Sequence, residues 1–121
     1  MRIVNLDTHV LLFALEDGLT AHERDVLSSN TWGISSIVLW EIAKLSQLGR
    51  IGSGLDEPKM RSALATVHIW PVDVQTAHTS THLDFNGDPA DELIAATSVV
   101  QGVPLLTRDR QILQSNMVSF A

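Results

Sequence analysis

Short β-rich runs alternate with longer helical stretches along this chain, and the alternation constrains its fold more than any other feature. The runs at residues 2–6, 31–34, 68–72 and 103–107 predict four strands, and residues 117–120 predict a possible fifth. Strands separated by a helical stretch are expected to pair in parallel, because a tight turn joins only antiparallel neighbours. The 121 residues therefore predict an α/β sandwich in one domain.

Capping signals mark the helices between these strands. Thr20 and Glu23 form a Thr-x-x-Glu capping box for a helix that runs to about Ser29. Gly49 and Gly102 follow stretches that are expected to end as helices. The other predicted helices cover residues 8–15, 37–48, 56–66, 73–82, 89–101 and 110–113, with a flexible connection at 49–54 and a loop at 84–88.

The composition excludes several classes of site. The absence of Cys excludes disulfides, thiol catalysis and iron–sulfur clusters, and the five His residues lack the HExxH spacing of zinc hydrolases. The P-loop, GxGxxG and GxSxG motifs are also absent. No apolar run is long enough to span a bilayer, and the first residues lack the features of a signal peptide. We therefore expect a cytoplasmic protein with no membrane role.

The overall charge argues against binding to nucleic acid through a basic face. Eight Lys and Arg residues face 14 Asp and Glu residues, which gives a net charge of −6. With no Tyr, three Trp and three Phe, the chain is also poorly supplied for stacking on single-stranded RNA. Taken alone, these two features disfavour a nucleic-acid-binding protein.

Four carboxylates fall where the parallel sheet would bind a ligand. Asp7 and Asp109 each follow a predicted strand, and ligands of open parallel sheets bind beyond the carboxyl ends of the strands. Asp91 lies in the first turn of the 89–101 helix, which would lead to the same edge. Glu41 lies on an otherwise apolar helical stripe, where a carboxylate is costly to bury without a partner.

Each acid also has a purely structural explanation. Asp7 and Asp109 could cap the helices that follow them, Asp91 could complement a helix dipole, and Glu41 could pair with Lys44. Four carboxylates at one edge nevertheless repel one another unless a cation lies among them. All-oxygen ligation suits Mg²⁺ or Mn²⁺, and such metals can hydrolyse phosphodiesters.

Four segments, taken in order, carry a family resemblance. They read LDTHVLL at 6–12, WEIAK at 40–44 with LGR at 48–50, DPAD at 88–91 and LTRD at 106–109. Together these segments resemble the PIN-domain ribonucleases, and within that family most closely the VapC toxins of bacterial toxin–antitoxin modules.

The resemblance implies a PIN-like three-layer α/β/α sandwich around a parallel sheet of four to five strands, spanning the whole chain. It implies endonucleolytic cleavage of RNA by metal-activated water, with Mg²⁺ or Mn²⁺ as cofactor. It also implies a homodimer and a cognate VapB-like antitoxin whose tail covers the active site. Carried over by position, the catalytic and metal-binding acids are Asp7, Glu41, Asp91 and Asp109, with Thr107 in support.

The segment from residue 86 to 92 departs from the pattern common in VapC-like sequences. These commonly read His-x-Asp-Pro-Phe-Asp-Arg, whereas this chain has Asn86 in place of the His and Glu92 in place of the Arg. The loss of a basic side chain beside the pocket is expected to weaken the grip on the RNA backbone or to change which RNA is cut. Asp88 is expected to cap the Pro89 helix and to stay outside the site.

The charge objection weakens if metal ions bind at these acids. Two divalent cations would offset four of the 14 acidic charges. Seven basic side chains are then expected to be available to RNA phosphates: Arg24, Lys44, Arg50, Lys59, Arg61, Arg108 and Arg110.

Three other functions remain open at this point. A non-catalytic PIN-like binding module would lack at least one of the four acids. A receiver-type phosphoacceptor domain needs adjacent acids after the first strand and a Lys after a late strand, whereas Asp7 stands alone and Arg108 lies nearest the Lys position. A different metal-dependent phosphohydrolase is the third alternative.

Overall fold

A computed structural model describes residues 2–52 and 54–121. Its strands form one four-stranded sheet in the order β3-β2-β1-β4, and every neighbouring pair is parallel. The predicted parallel α/β architecture is therefore confirmed. The strands are Ile3–Leu6 (β1), Thr31–Ser35 (β2), His68–Trp70 (β3) and Leu105–Leu106 (β4).

Seven helices connect and flank these strands in the described part of the chain. The predicted capping box forms at the second helix, where the Glu23 amide donates to Thr20 Oγ1 and the Thr20 amide donates to the Glu23 carboxylate. None of the described helices is both long and apolar enough to cross a membrane. The helices are Thr8–Leu15 (α1), Ala21–Ser29 (α2), Ile37–Gln47 (α3), Pro58–Leu64 (α4), Val74–Ser80 (α5), Pro89–Gln101 (α6) and Arg110–Leu113 (α7).

The central strand β1 is buried on both of its faces. Val4, Asn5 and Leu6 are each at most 1% exposed, so helices must cover the sheet on both sides. Asn5 ties the strand to α6, because its Nδ2 donates to the Ile94 carbonyl and to Ser98 Oγ, each at 3.0 Å. This link fixes the height of α6, and hence of its first turn, relative to the end of β1.

The strands are shorter than the sequence predicts. The predicted strands 68–72 and 103–107 include Pro71 and Pro104, which have no amide hydrogen to donate to a neighbouring strand. The predicted strand 2–6 begins one residue later, at Ile3, and the predicted strand 31–34 extends to Ser35.

The predicted fifth strand at 117–120 is reduced to one isolated parallel bridge between Leu105 and Phe120. The Leu105 amide donates to the Ser119 carbonyl at 2.9 Å, and the Ala121 amide donates to the Leu105 carbonyl at 3.0 Å. A two-residue β4 offers room for no longer ladder. The chain end therefore covers the outer edge of the sheet without forming a strand of its own.

Several helix ends also differ from the predictions. The helices predicted at 37–48, 56–66 and 73–82 end at Gln47, Leu64 and Ser80. Gly102, with a φ of 65°, follows α6 as predicted. Ser53, in the predicted connection 49–54, lies outside the described residues.

Candidate active site

Asp7 lies at the junction of β1 and α1 and is 4% exposed. Its Oδ1 accepts a hydrogen bond from the Thr8 amide at 2.7 Å, and its Oδ2 accepts one from Thr107 Oγ1 at 2.6 Å. One oxygen of Asp7 therefore caps α1, while the other is held by the segment that follows β4. The capping role expected for Asp7 and a place at the sheet edge are both present.

Asp109 is brought beside Asp7 by the turn after β4. The Asp109 amide donates to Thr107 Oγ1 at 3.0 Å, so one hydroxyl links the two acids. Asp109 Oδ1 accepts from the Gln111 and Ile112 amides at 2.8 and 3.2 Å, which makes it the cap of α7. The structural role expected for Asp109 is therefore present as well, and it occupies only one carboxylate oxygen.

Glu41 reaches the same edge from α3. Its Oε1 accepts from Thr8 Oγ1 at 2.5 Å. The pairing of Glu41 with Lys44 that the spacing suggested does not form, because the Lys44 ammonium donates to Gln47 Oε1 at 2.9 Å instead. Thr8 was not among the predicted site residues. Its position directly after a strand-terminal Asp was the signal that could have identified it.

The charges of the four acids act on one another. Burial raises the pKa of Asp7, against the lowering effect of its bonds from Thr107 and Thr8. Burial also raises the pKa of Glu41, and the charge of Asp7 raises it further. Burial followed by the charges of Asp7, Glu41 and Asp109 raises the pKa of Asp91 to about 7. The structure therefore brings the four predicted acids together.

Asp88 stands nearer to these acids than the sequence suggested. It precedes Pro89 at the start of α6, as predicted, but its side chain makes no capping hydrogen bond. Its charge contributes to the raised pKa values of Asp91 and Glu41. Asp88 is therefore a fifth negative charge at the edge of the acidic cluster.

Arg108 is not available to RNA in the way the sequence suggested. Its guanidinium pairs with the Glu23 carboxylate at 2.6 Å, donates to the Gly18 carbonyl at 2.9 Å and lies 3.9 Å from the centre of the Phe13 ring. Within residues 2–52 and 54–121 this is the one Lys or Arg salt bridge. Arg24 and Lys59 donate to backbone carbonyls, so their charges are also partly committed.

An open cavity of about 300 Å³ gives access to the acids from one side. It is lined by Asp7, His9, Phe13, Arg108 and Asp109. His9 is exposed, and its charge lowers the pKa values of Asp7 and Glu41. A phosphate group entering here would meet the acids directly, with His9 beside them.

The donor set fits a hydrated hard cation. Its donors are carboxylate oxygens, which Mg²⁺ and Mn²⁺ prefer. No three His, Asp or Glu side chains of the described residues converge closely enough to hold an ion by themselves. Mg²⁺ commonly keeps several water ligands and uses only one or two carboxylates, so the open arrangement is compatible with it.

Comparison with known proteins identifies the type of domain. The model of the PIN domain matches residues 4–116. No curated protein matches the chain. Solved structures similar to it include VapBC2 from Rickettsia felis bound to a promoter DNA fragment, with 19% identity, a TM-score of 0.77 and coverage of 98% of this chain and 97% of that chain.

Two further solved structures share this likeness. One is DNA-bound VapBC from Salmonella typhimurium, with 20% identity, a TM-score of 0.75 and coverage of 100% and 98% of the two chains. The other is a toxin–antitoxin complex from Klebsiella pneumoniae, with 21% identity, a TM-score of 0.72 and coverage of 95% and 94%. At these identities the likeness establishes the common fold.

Proposed function

Because the chain belongs to the PIN domain family, a family of nucleases, we propose that it is a metal-dependent endoribonuclease and the toxin of a toxin–antitoxin pair. The observation that carries the proposal is the gathering of acids at one edge of the sheet, where burial and four neighbouring carboxylates raise the pKa of Asp91 to about 7. Crowding of this kind disfavours the charged carboxylate unless a cation joins it. A divalent cation bound among these acids would remove that cost.

Each side chain has a defined role in this proposal. Asp7 and Asp91 are the principal metal ligands, and Glu41 and Asp109 complete the acidic set. Bound Mg²⁺ or Mn²⁺ would lower the pKa of a water molecule and offset the charge that develops on the phosphate. Thr107 sets the spacing between two of the acids, because its hydroxyl donates to Asp7 and accepts from the Asp109 amide.

The remaining contacts hold the carboxylates of the cluster in position. Thr8 fixes the Glu41 carboxylate through a hydrogen bond of 2.5 Å, so that this acid does not rotate into solvent. Asn5 holds α6 against β1 and thereby holds Asp91 level with Asp7. These contacts prepare the carboxylates before metal and substrate arrive, which reduces the free energy needed to order them.

The proposed partners follow from the resemblance and from the similar structures. The Klebsiella pneumoniae structure is a toxin–antitoxin complex, and VapBC2 of Rickettsia felis was solved bound to a promoter DNA fragment. We therefore assign this chain a VapB-like antitoxin that covers the acids, a homodimeric state and a cytoplasmic location.

The test compares two Asp→Asn variants that share a local role. Asp7 and Asp73 both cap a helix, and Asn caps about as well as Asp. Melting curves are recorded with and without Mn²⁺, beside an RNA cleavage assay. The parent and Asp73→Asn should gain thermal stability from Mn²⁺ and should cleave RNA, whereas Asp7→Asn should lose most of both responses.

Two outcomes contradict parts of the proposal separately. Undiminished cleavage after exhaustive chelation with EDTA, or an Asp7→Asn variant that behaves like Asp73→Asn, would exclude the metal mechanism at this site. If the chain is harmless when expressed alone and a pull-down returns no small partner, the toxin role fails while the nuclease role survives.

A further inference from the structure

A groove beside the acids has exposed large apolar side chains in its wall. Its cavity of about 280 Å³ lies between α3 and the start of α6. Trp40 and Leu48 line it, and each is 56% exposed. The other two tryptophans are placed differently, since Trp70 is 7% exposed and Trp32 donates from Nε1 to the Leu27 carbonyl. An exposed indole in the wall of a cavity is typical of a binding surface.

Two basic side chains line the same groove. Lys44 follows Trp40 by one helical turn, so the two share a face of α3. Gly49, with a φ of 70°, ends this helix and turns the chain back, and the Arg50 amide donates to the Leu45 carbonyl at 2.9 Å. Neither Lys44 nor Arg50 takes part in a salt bridge among the described residues.

Lys44 and Arg50 line this groove together with two carboxylates, Glu41 and Asp88, in a chain with a net charge of −6. Arg108 is held by Glu23, and Arg24 and Lys59 donate to backbone carbonyls. Lys44 and Arg50 are exposed and flank an apolar wall, and the Lys44 ammonium donates only to the neutral amide of Gln47. Positive charges beside an exposed aromatic ring form the combination that binds single-stranded nucleic acid, with cations for the backbone and the ring for the bases.

The groove adjoins the acidic cluster at Glu41. Glu41, which follows Trp40 on α3, lines the groove and also belongs to the acidic cluster. Asp88 lies at the opposite wall of the groove. The charge of Asp88 reaches Asp91 and Glu41. An RNA strand with one phosphate at the acids would therefore have a neighbouring nucleotide within reach of this groove.

We propose that the groove binds one nucleotide of the RNA substrate, adjacent to the phosphodiester that is cut. Its base stacks on Trp40 and contacts Leu48, and its phosphate lies near Lys44 and Arg50. The proposal rests on the proposed function, because it presupposes that RNA reaches the acids. A cavity of about 280 Å³ suits one nucleotide, whereas a peptide helix needs a row of apolar pockets along its length.

Binding can be measured apart from cleavage. The assay uses the full chain with Asp91→Asn in EDTA, a condition that removes one repelling carboxylate and prevents metal-dependent turnover. The probe is a short single-stranded RNA, and the signals are tryptophan fluorescence and anisotropy of a labelled RNA. Trp40→Ala should weaken binding about tenfold, and Trp40→Phe should retain most of it, since stacking on one aromatic ring contributes on that order.

Three controls test whether base and backbone contribute as proposed. Val74→Ala, which truncates a side chain that is 87% exposed on α5, should leave RNA binding unchanged. An RNA with one abasic nucleotide should bind the Asp91→Asn chain more weakly than intact RNA does. When Trp40→Ala is added to that chain, the abasic and the intact RNA should bind almost equally well. Lys44→Gln should reduce the slope of log binding constant against log salt by about 0.7, the value expected for one lost phosphate contact on a single strand.

The outcomes distinguish the groove from the nuclease itself. If Trp40→Ala binds RNA as tightly as the parent while the parent cleaves RNA, the nucleotide subsite is wrong and the proposed function stands. If Trp40→Ala instead changes the oligomeric mass in analytical ultracentrifugation, or releases only a peptide partner, the groove is a protein interface and the subsite is likewise wrong. If the chain with all four acids intact neither binds nor cleaves RNA, both proposals fail together.

Discussion

Glu23 and Asp91 are two partly or fully buried carboxylates whose surroundings differ in one respect. Glu23 lies under the guanidinium of Arg108, which lowers its pKa to about 2. Asp91 lies among other acids, and burial together with their charges raises its pKa to about 7. The fold therefore supplies a permanent cation for one carboxylate and withholds one from the other.

The two carboxylates differ in how their negative charge is balanced. At Glu23 the charge is neutralised within the chain, and the pair joins the segment after β4 to the start of α2. At Asp91 the repulsion persists, and it is relieved by a proton or by an ion from solution. Clusters of carboxylates with mutually raised pKa values mark functional sites for this reason.

The largest expected difference between the two regions is in RNA cleavage. Asp91→Asn should reduce cleavage at least about 100-fold, because even outer-shell partners of metal sites cost 10- to 100-fold. Glu23→Gln should reduce it far less, since Gln can still accept the Thr20 amide bond of the capping box. The measurement is kcat/KM on one RNA with Mg²⁺ at a temperature well below both melting points. Equal losses in the two variants would break the comparison.

The second expected difference is in how stability of the metal-free protein depends on pH. Asp91 binds its proton more tightly when folded, so its charge destabilises the fold as pH rises from about 4 to about 7. Glu23 binds its proton less tightly when folded, so its contribution is present above pH 4.5 and is lost as pH falls toward 2. Melting temperatures measured in EDTA should therefore rise between pH 2 and 4.5 because of Glu23. They should fall between about pH 4 and 7 because of Asp91.

Each of these two pH dependences should disappear when the residue that causes it is replaced. Asp91→Asn should flatten the dependence between pH 4 and 7, and Glu23→Gln should flatten the dependence below pH 4.5. With saturating Mn²⁺ the melting temperature of the parent should rise, not fall, between about pH 4 and 7, because metal displaces protons from the acids more easily as pH rises. If Asp91→Asn shows the same fall in melting temperature between about pH 4 and 7 as the parent, another group causes that fall.

The smallest expected effect concerns Glu92, which adds a negative charge one residue after Asp91. Its Oε2 accepts from the Gly87 amide at 3.4 Å, a long contact that Gln can keep. Glu92→Gln should lower KM for RNA by about twofold at low ionic strength, and the gain should fade in high salt as screening increases. A gain that persists unchanged in high salt would have a cause other than charge.

The strand order and the placement of the acids differ in how far the sequence determines them. Alternating β and helical segments predict parallel pairing, and an Asp directly after a strand must lie at its carboxyl end. Asp7 and Asp109 are therefore accessible to reasoning from the sequence. Asp91 and Glu41 could be placed at the same edge only as helix residues expected to approach it.

Contacts between side chains that are distant in the sequence could not be predicted. Thr8 binds Glu41 across 33 positions of the chain, and Arg108 binds Glu23 across 85. Neither spacing has a local pattern, because each partner is set by how helices pack on the sheet. For the same reason Arg108 was expected to be free for RNA, and the last strand was expected to be longer than a single bridge.

The hydrogen bond from Thr107 to Asp7 joins residues 100 positions apart, and it has a consequence for biosynthesis. Chains emerge from the ribosome amino end first, and contacts between distant residues form after local ones. Asp7 is made 100 residues before Thr107, whose hydroxyl aligns it with Asp109. A nascent chain of this protein therefore cannot assemble its acidic cluster until residues 107–109 have been made, so the proposed RNA-cleaving centre stays incomplete while the preceding 100 residues are synthesised.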